Sequence, residues 1–255
     1  MRIGGTALTV AAGVALAVVG PPAVRGDDGP VVNLADRVPA RWLDGRSDRL
    51  PLTPARWRRR LPRECRTRGG YRDHCQGERR VPTPTGPAAE LAGRLALGHG
   101  ATALQLRLGP PFEEWAAAAA GTDPDPMLTF PVPEGILGRG YGRVRGGELA
   151  HRRHFGIDIG ADEGAEVIAA RGGLVVYSDN GLVGYGNSVM LLHEDGFTTF
   201  YAHCLETLVF AGQKVRRGQR IARVGRTGFA PAPHLHFEWR QRGWARDPVP
   251  QMYPR

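Results

Sequence analysis

Residues 173–203 read GLVVYSDNGLVGYGNSVMLLHEDGFTTFYAH. Three runs rich in aliphatic, β-branched and aromatic residues (173–178, 188–193 and 197–203) are separated by the turn signals Asp179-Asn-Gly and Asp195-Gly. Such spacing predicts antiparallel strands joined by tight turns. The same texture continues outward in short runs at 166–170, 215, 220–224 and 235–240, most of them bounded by glycine. No helix-length amphipathic pattern interrupts the series after Met127. Residues 127–255 are therefore expected to form one all-β domain of antiparallel sheets, a sandwich or a folded sheet.

The preceding residues read differently. Residues 1–26 have Arg2, an apolar run to Val19 and then Gly20-Pro21-Pro22, the pattern of an export signal cleaved near Gly26. No cysteine lies near the end of that run, which argues against lipid attachment there. No later stretch approaches the ~20 apolar residues of a membrane span. Residues 27–87 are rich in Pro and Arg, have little apolar periodicity, and read as an arm or linker. Residues 88–126 read as a partly helical connecting segment. It has a short helix at 88–97, an alternating stretch Leu104-x-Leu106-x-Leu108 and an Ala-rich helix near Pro111; Asp123-Pro-Asp-Pro126 marks the boundary. Standing ahead of the β domain, the region at 27–121 could cover a groove in it.

The chain has 255 residues, 42% hydrophobic and 23% charged, with a net charge of +9. Residues 37–80 hold 14 Arg against 5 acids, so that segment alone accounts for the excess. The rest is balanced, and only Lys214 among the basic residues is a lysine. With no ordered nucleic-acid motif, DNA or RNA binding is not expected; attraction of the arm to an anionic envelope polymer is. In an oxidising compartment Cys65 and Cys75 can pair as a disulfide. A zinc site made of these two and His74 is the competing reading, one ligand short of closure. Cys204 reads as buried and inert.

Six of the eight histidines follow residue 150. His234-Leu-His236-Phe-Glu238 lies on an expected strand, where residues two apart share a face. His154-Phe-Gly-Ile-Asp158 places an imidazole near a carboxylate, and Tyr201-Ala-His203 ends another strand. Two imidazoles and one carboxylate are the ligand set of a catalytic zinc site with an open position. A further histidine can move a proton there. Each histidine alone reads as a surface or satisfied core residue, and His151 and His193 keep that reading.

Residues 131–247 resemble the LytM/lysostaphin-type M23 family of zinc peptidases that cut peptidoglycan. The motifs are His154-x-Gly-Ile-Asp158, Gly164-x-x-Val167, Gly186-Asn-x-Val189, Tyr201-x-His203, Gly225-x-Thr-Gly228 and Pro233-His-Leu-His-Phe-Glu238. The resemblance implies a groove-forming β domain holding one Zn2+ through His154, Asp158 and His236. It implies His203 and His234 as catalytic histidines acting on the water and the tetrahedral intermediate. Glu238 is expected to fix a tautomer of the site or to make a salt bridge. Tyr141, in Tyr141-Gly-Arg143-Val-Arg145, is a candidate substrate or oxyanion contact; the family's arginine is displaced by one position here.

The expected protein is thus an exported, monomeric zinc metalloendopeptidase of the periplasm or cell wall that hydrolyses peptidoglycan cross-links. The alternative is a non-catalytic wall-binding or hydrolase-regulating protein of the same fold. Gly212-x-x-Val-x-x-Gly218-x-x-Ile221 also resembles a lipoyl- or biotinyl-carrier turn. Those domains need a lysine at the hairpin tip, and Lys214 precedes this turn.

Overall fold

The computed structural model describes residues 76–108, 113–143, 153–230 and 232–252. The export signal, most of the Arg-rich arm, Cys65, Cys75 and His151 lie outside the described residues. Twelve strands follow three short helices among the described residues. The helices are α1 (Gly86–Arg94), α2 (Gly100–Leu108) and α3 (Glu113–Ala119). The strands are β1 (Ile136–Leu137), β2 (Gly142–Arg143), β3 (Arg153–His154), β4 (Ile157–Gly160), β5 (Glu166–Ile168) and β6 (Gly173–Asp179). They continue with β7 (Asn187–Leu192), β8 (Phe197–Thr207), β9 (Lys214–Val215), β10 (Arg220–Val224), β11 (His234–Gln241) and β12 (Trp244–Arg246).

One large sheet runs β1-β4-β11-β8-β7-β6-β9, with β12 on β11 and with β10 bridging β8 to β5. All of its strand pairs are antiparallel. Strands β2 and β3 form a separate antiparallel pair. The runs read from sequence thus appear as strands, with ends shifted by a few residues. The β7–β8 hairpin shows why its turn is legible. Asp195 accepts from the Phe197 N–H, and Gly196 takes a left-handed φ of 80° that a β-branched residue would resist.

The sheet is buried on both faces. On one, Ile157, Ile159, Val189, Leu191, Tyr201, Leu235 and Phe237 pack with Val167 and Ile221 from the folded-over β5–β10 layer. On the other, Leu174, Val176, Met190, Leu192, Phe200 and Ala202 pack under Leu106, Trp115 and Ala119 from the helices. This double cover explains the unbroken apolar run of β7, since a strand buried on both faces needs no alternation.

The helical segment differs from its sequence reading at one place. Leu104-x-Leu106-x-Leu108 is not extended; it lies in α2. Ala103, Leu104, Leu106 and Arg107 are all buried, so α2 is enclosed on several sides and shows no single apolar stripe. Asp123 is fastened to the β domain: its carboxylate accepts from the Gly172 N–H at 2.9 Å and pairs with Arg217 at 3.1 Å.

His193 and Cys204 are core residues. The His193 ring bridges the Gly172 carbonyl (2.8 Å) and the Thr199 hydroxyl (2.9 Å). Burial pushes its pKa down to about 4. The unfolded chain therefore takes up this proton first as the pH falls. The stabilising contribution is complete above the ordinary value near ~6.5 and is lost progressively down to about 4. Wild type should lose on the order of 3 kcal/mol relative to His193→Gln across that window. Urea midpoints of the two proteins at pH 7 and pH 4 check this; parallel curves would contradict it. Cys204 is buried and free, its thiol pushed up to about 12 by burial.

Candidate metal centre and flanking histidines

Strand register brings the histidines together. Asp158 on β4 stands directly across from His236 on β11, and His236 stands across from Ala202 on β8. His154 enters from β3, opposite Gly142 on β2. The approach is close at Gly156, where a Cβ would lie 2.1 Å from the Phe237 carbonyl oxygen. This is the physical reason for glycine in His154-x-Gly-Ile-Asp158. Along β11, His234, His236, Glu238 and Arg240 share one face, while Leu235 and Phe237 point into the core.

Hydrogen bonds fix the tautomers of the imidazoles. A carbonyl only accepts, so the His154 Nδ1–H donates to Gly140 O at 2.8 Å. The His236 Nε2–H donates to the Glu238 carboxylate at 3.1 Å. What remains is His154 Nε2 and His236 Nδ1, 3.1 Å apart. Each lies 3.0 Å from Asp158 Oδ1. Once His236 gives up its Nδ1 proton, three acceptors converge, an arrangement a cation satisfies. Their spacing is close to the ~3.3 Å edge of a tetrahedron with bonds of ~2.0–2.1 Å. Among the described residues this is the group of His, Cys, Asp and Glu side chains that can hold a metal ion. With no cation bound, a proton plays that part. Burial works against charge on Asp158, but hydrogen bonds and charge from His154 and His236 hold its carboxyl well below the usual range. Burial likewise opposes charge on His236, yet Asp158 and Glu238 raise it to about 9. The donor set therefore fits zinc or a similar borderline ion.

Two further histidines flank the three acceptors. The His203 Nδ1–H donates to Thr227 O at 2.9 Å and the His234 Nδ1–H to Ala232 O at 2.8 Å, leaving Nε2 of each as an acceptor. Their rings lie 4.8 Å apart, and the His203 ring is 5.9 Å from that of His236. His234 Nε2 is 3.8 Å from Asp158 Oδ1, beyond hydrogen-bond range. Burial and the neighbouring His236 and His234 lower the His203 pKa to about 3, so it is neutral near pH 7. His203 also adopts φ 66°, rare for a residue with a side chain and costing about 1–3 kcal/mol. Its backbone N–H donates to Tyr185 O at 2.8 Å, holding that conformation.

The motif glycines support this loop. Gly186 and Gly228 have φ of 63° and 73° and pack against one another and against Thr227. The Thr227 hydroxyl donates to Cys204 O and accepts from the Asn187 N–H. The carbonyl that orients His203 is thereby fixed from two sides.

Glu238 is both a hydrogen-bond acceptor for His236 and an ion-pair partner. It is fully buried between Arg107 (3.1 Å) and Arg240 (2.7 Å), whose side chains are 3% and 2% exposed. Burial opposes its charge, but the two guanidinium groups keep it ionised. The Tyr141 hydroxyl donates to Ala245 O at 2.6 Å, anchoring the start of β2 on β12 next to the Gly140 carbonyl. The roles of Gly140, Thr227, Tyr185 and Arg107 escaped the sequence reading, although Thr227 stands in the Gly225-x-Thr-Gly228 motif. The first two act through backbone carbonyls, which no residue type announces.

Residues 152–248 match peptidase family M23. The chain is 46% identical over 99 residues to the lipoprotein YgeR of Escherichia coli K12, covering 39% of each chain. It is 38% identical over 125 residues to the murein hydrolase activator NlpD of the same organism, covering 49% of this chain and 31% of that one. The chain thus spans well under half the length of these relatives. Among solved structures, a zinc-containing peptidase from Vibrio cholerae is similar, with a TM-score of 0.45, 31% identity and coverage of 48% of this chain and 39% of that one. Residues 152–248 are thus a domain of the peptidase M23 type.

Proposed function

We propose that the chain is an exported zinc metalloendopeptidase that hydrolyses peptide cross-links of peptidoglycan. The observation that carries this reading is the convergence of His154 Nε2, His236 Nδ1 and Asp158 Oδ1, flanked by two histidines whose Nδ1 atoms are held by backbone carbonyls. Zinc held by those three residues supplies Lewis acidity that polarises a carbonyl and makes water a nucleophile near neutral pH. The protein's own contribution is positional. His203 and His234 accept and return protons at Nε2, and their carbonyl partners keep both rings in the acceptor tautomer. Exposed Ile136 and Leu137 on β1, which pairs with β4, and exposed Phe229, whose N–H donates to Gly184 O, offer apolar contacts for substrate. The arm at 27–87 serves as an envelope tether, and the site of action is the periplasm or cell wall.

The family match of residues 152–248 and the lipoproteins among the relatives, one of them named for the outer membrane, support this reading. A second reading, activation of a separate murein hydrolase, is favoured by the name of one relative. Incubating the full chain with purified peptidoglycan, alone and with a separate murein hydrolase, distinguishes the two. Peptidase action gives soluble products from the chain alone, and mass spectrometry locates a cleaved peptide bond. Products seen only when the second hydrolase is present would favour activation.

A further inference from the structure

The region matched to the family begins at residue 152. Yet one of the two guanidinium groups on Glu238 comes from far upstream, from Arg107 in the last turn of α2. Arg107 is 3% exposed and its Nη2 bonds both Glu238 Oε1 at 3.1 Å and the Tyr185 hydroxyl at 2.9 Å. The guanidinium carbon lies 4.6 Å from the Tyr185 ring centre and 5.2 Å from that of Phe200, where cation–π attraction compensates its burial. Arg240 Nη1 reaches back to the Arg107 carbonyl at 3.3 Å, tying the end of α2 to β11.

The oxygen that Arg107 holds, Glu238 Oε1, is the one that accepts the His236 Nε2–H at 3.1 Å. Arg240 Nε holds the other oxygen, Oε2, at 2.7 Å. With both oxygens pinned from opposite directions, the carboxylate cannot rotate away from His236. An imidazole that ligates a metal through one nitrogen depends on the partner of the other nitrogen for its tautomer and its aim.

We propose that Arg107 is a positioning residue of the metal centre: through Glu238 it fixes the orientation of His236, so that metal affinity depends on the helical segment as well as on the family-matched region. The inference rests on the metal-centre reading above. It also makes α2 part of the working site rather than a detachable cover.

The test measures zinc affinity by competition with a chromophoric chelator in the full chain, Arg107→Met, Arg107→Lys and Asp158→Ala. Unfolding midpoints with and without zinc, and the visible spectrum with Co2+, are recorded alongside. Arg107→Met should bind zinc about 10–100-fold more weakly, the range for lost outer partners of a ligating histidine. Its zinc-induced rise in Tm should shrink, and its Co2+ bands should change. Arg107→Lys, which keeps the charge but not the planar guanidinium, should recover part of the affinity. It carries the comparison if Arg107→Met fails to fold, and an affinity about threefold to tenfold below wild type is then expected. A merely structural arginine would lower the midpoint equally with and without zinc. Zinc affinity within about twofold of wild type in the folded variants, with unchanged Co2+ bands, would overturn the proposal. Failure of wild type itself to bind zinc any better than Asp158→Ala would instead overturn the metal-centre reading, and this inference with it.

Discussion

Asp158→Ala is expected to remove metal binding and, with it, all chelator-sensitive release of peptides from peptidoglycan. Asp158 supplies the single formal negative charge among the three converging acceptors, and its Oδ1 lies 3.0 Å from both ligating nitrogens. Without it, two lone pairs face one another with no anion to draw a cation between them. The loss in zinc affinity should exceed the about 100-fold that an outer partner of a ligand can be worth. Stability should change far less, because Asp158 is partly exposed and the strand it sits on is held by Ile157 and Ile159 in the core. Zinc titration followed by a thermal melt measures both effects. A variant that binds zinc like wild type would show that the carboxylate is not a ligand.

His203→Ala is expected to give the opposite dissociation: zinc retained, turnover lost. His203 is not among the converging acceptors, and its ring sits 5.9 Å from that of His236. It is neutral near pH 7, its Nδ1–H is committed to Thr227 O, and its Nε2 is free to take a proton. Loss of one such group lowers kcat on the order of 10²–10⁴-fold. The measurement is the release rate at saturating substrate, normalised to bound zinc. A rate within a few-fold of wild type would assign the proton transfer elsewhere, with His234 the next candidate. The strained φ of 66° at His203 is consistent with a residue held in place for its side chain rather than for its fold.

The β domain was legible because its strands carry their own signals. The Asp195-Gly turn, the β-branched runs and the glycine spacing are local, and local patterns survive in a single sequence. The His234–Glu238 stretch was legible for the same reason, since a period of two puts both imidazoles and the carboxylate on one face. What stayed hidden depends on contacts between distant segments. α2 is enclosed on several sides, with Leu104, Leu106 and Arg107 all buried, so its sequence mimics the alternation of a strand. Arg107 reads as one arginine among many, and only the folded chain sets it beside Glu238, 131 positions away. The Gly140 and Thr227 carbonyls that set the tautomers of His154 and His203 belong to the backbone, and their positions follow from φ angles and packing rather than from side-chain chemistry.

In the proposed function, His154, Asp158 and His236 hold a metal that the chain uses to cut peptidoglycan. The most direct test follows soluble peptide release from purified peptidoglycan by the full chain before chelation, after chelation, and after zinc is returned at one equivalent. Release that stops with the chelator, resumes with zinc, and never appears in Asp158→Ala is the predicted result. Release that continues undiminished in the chelated chain, or no release with zinc supplied, would contradict it.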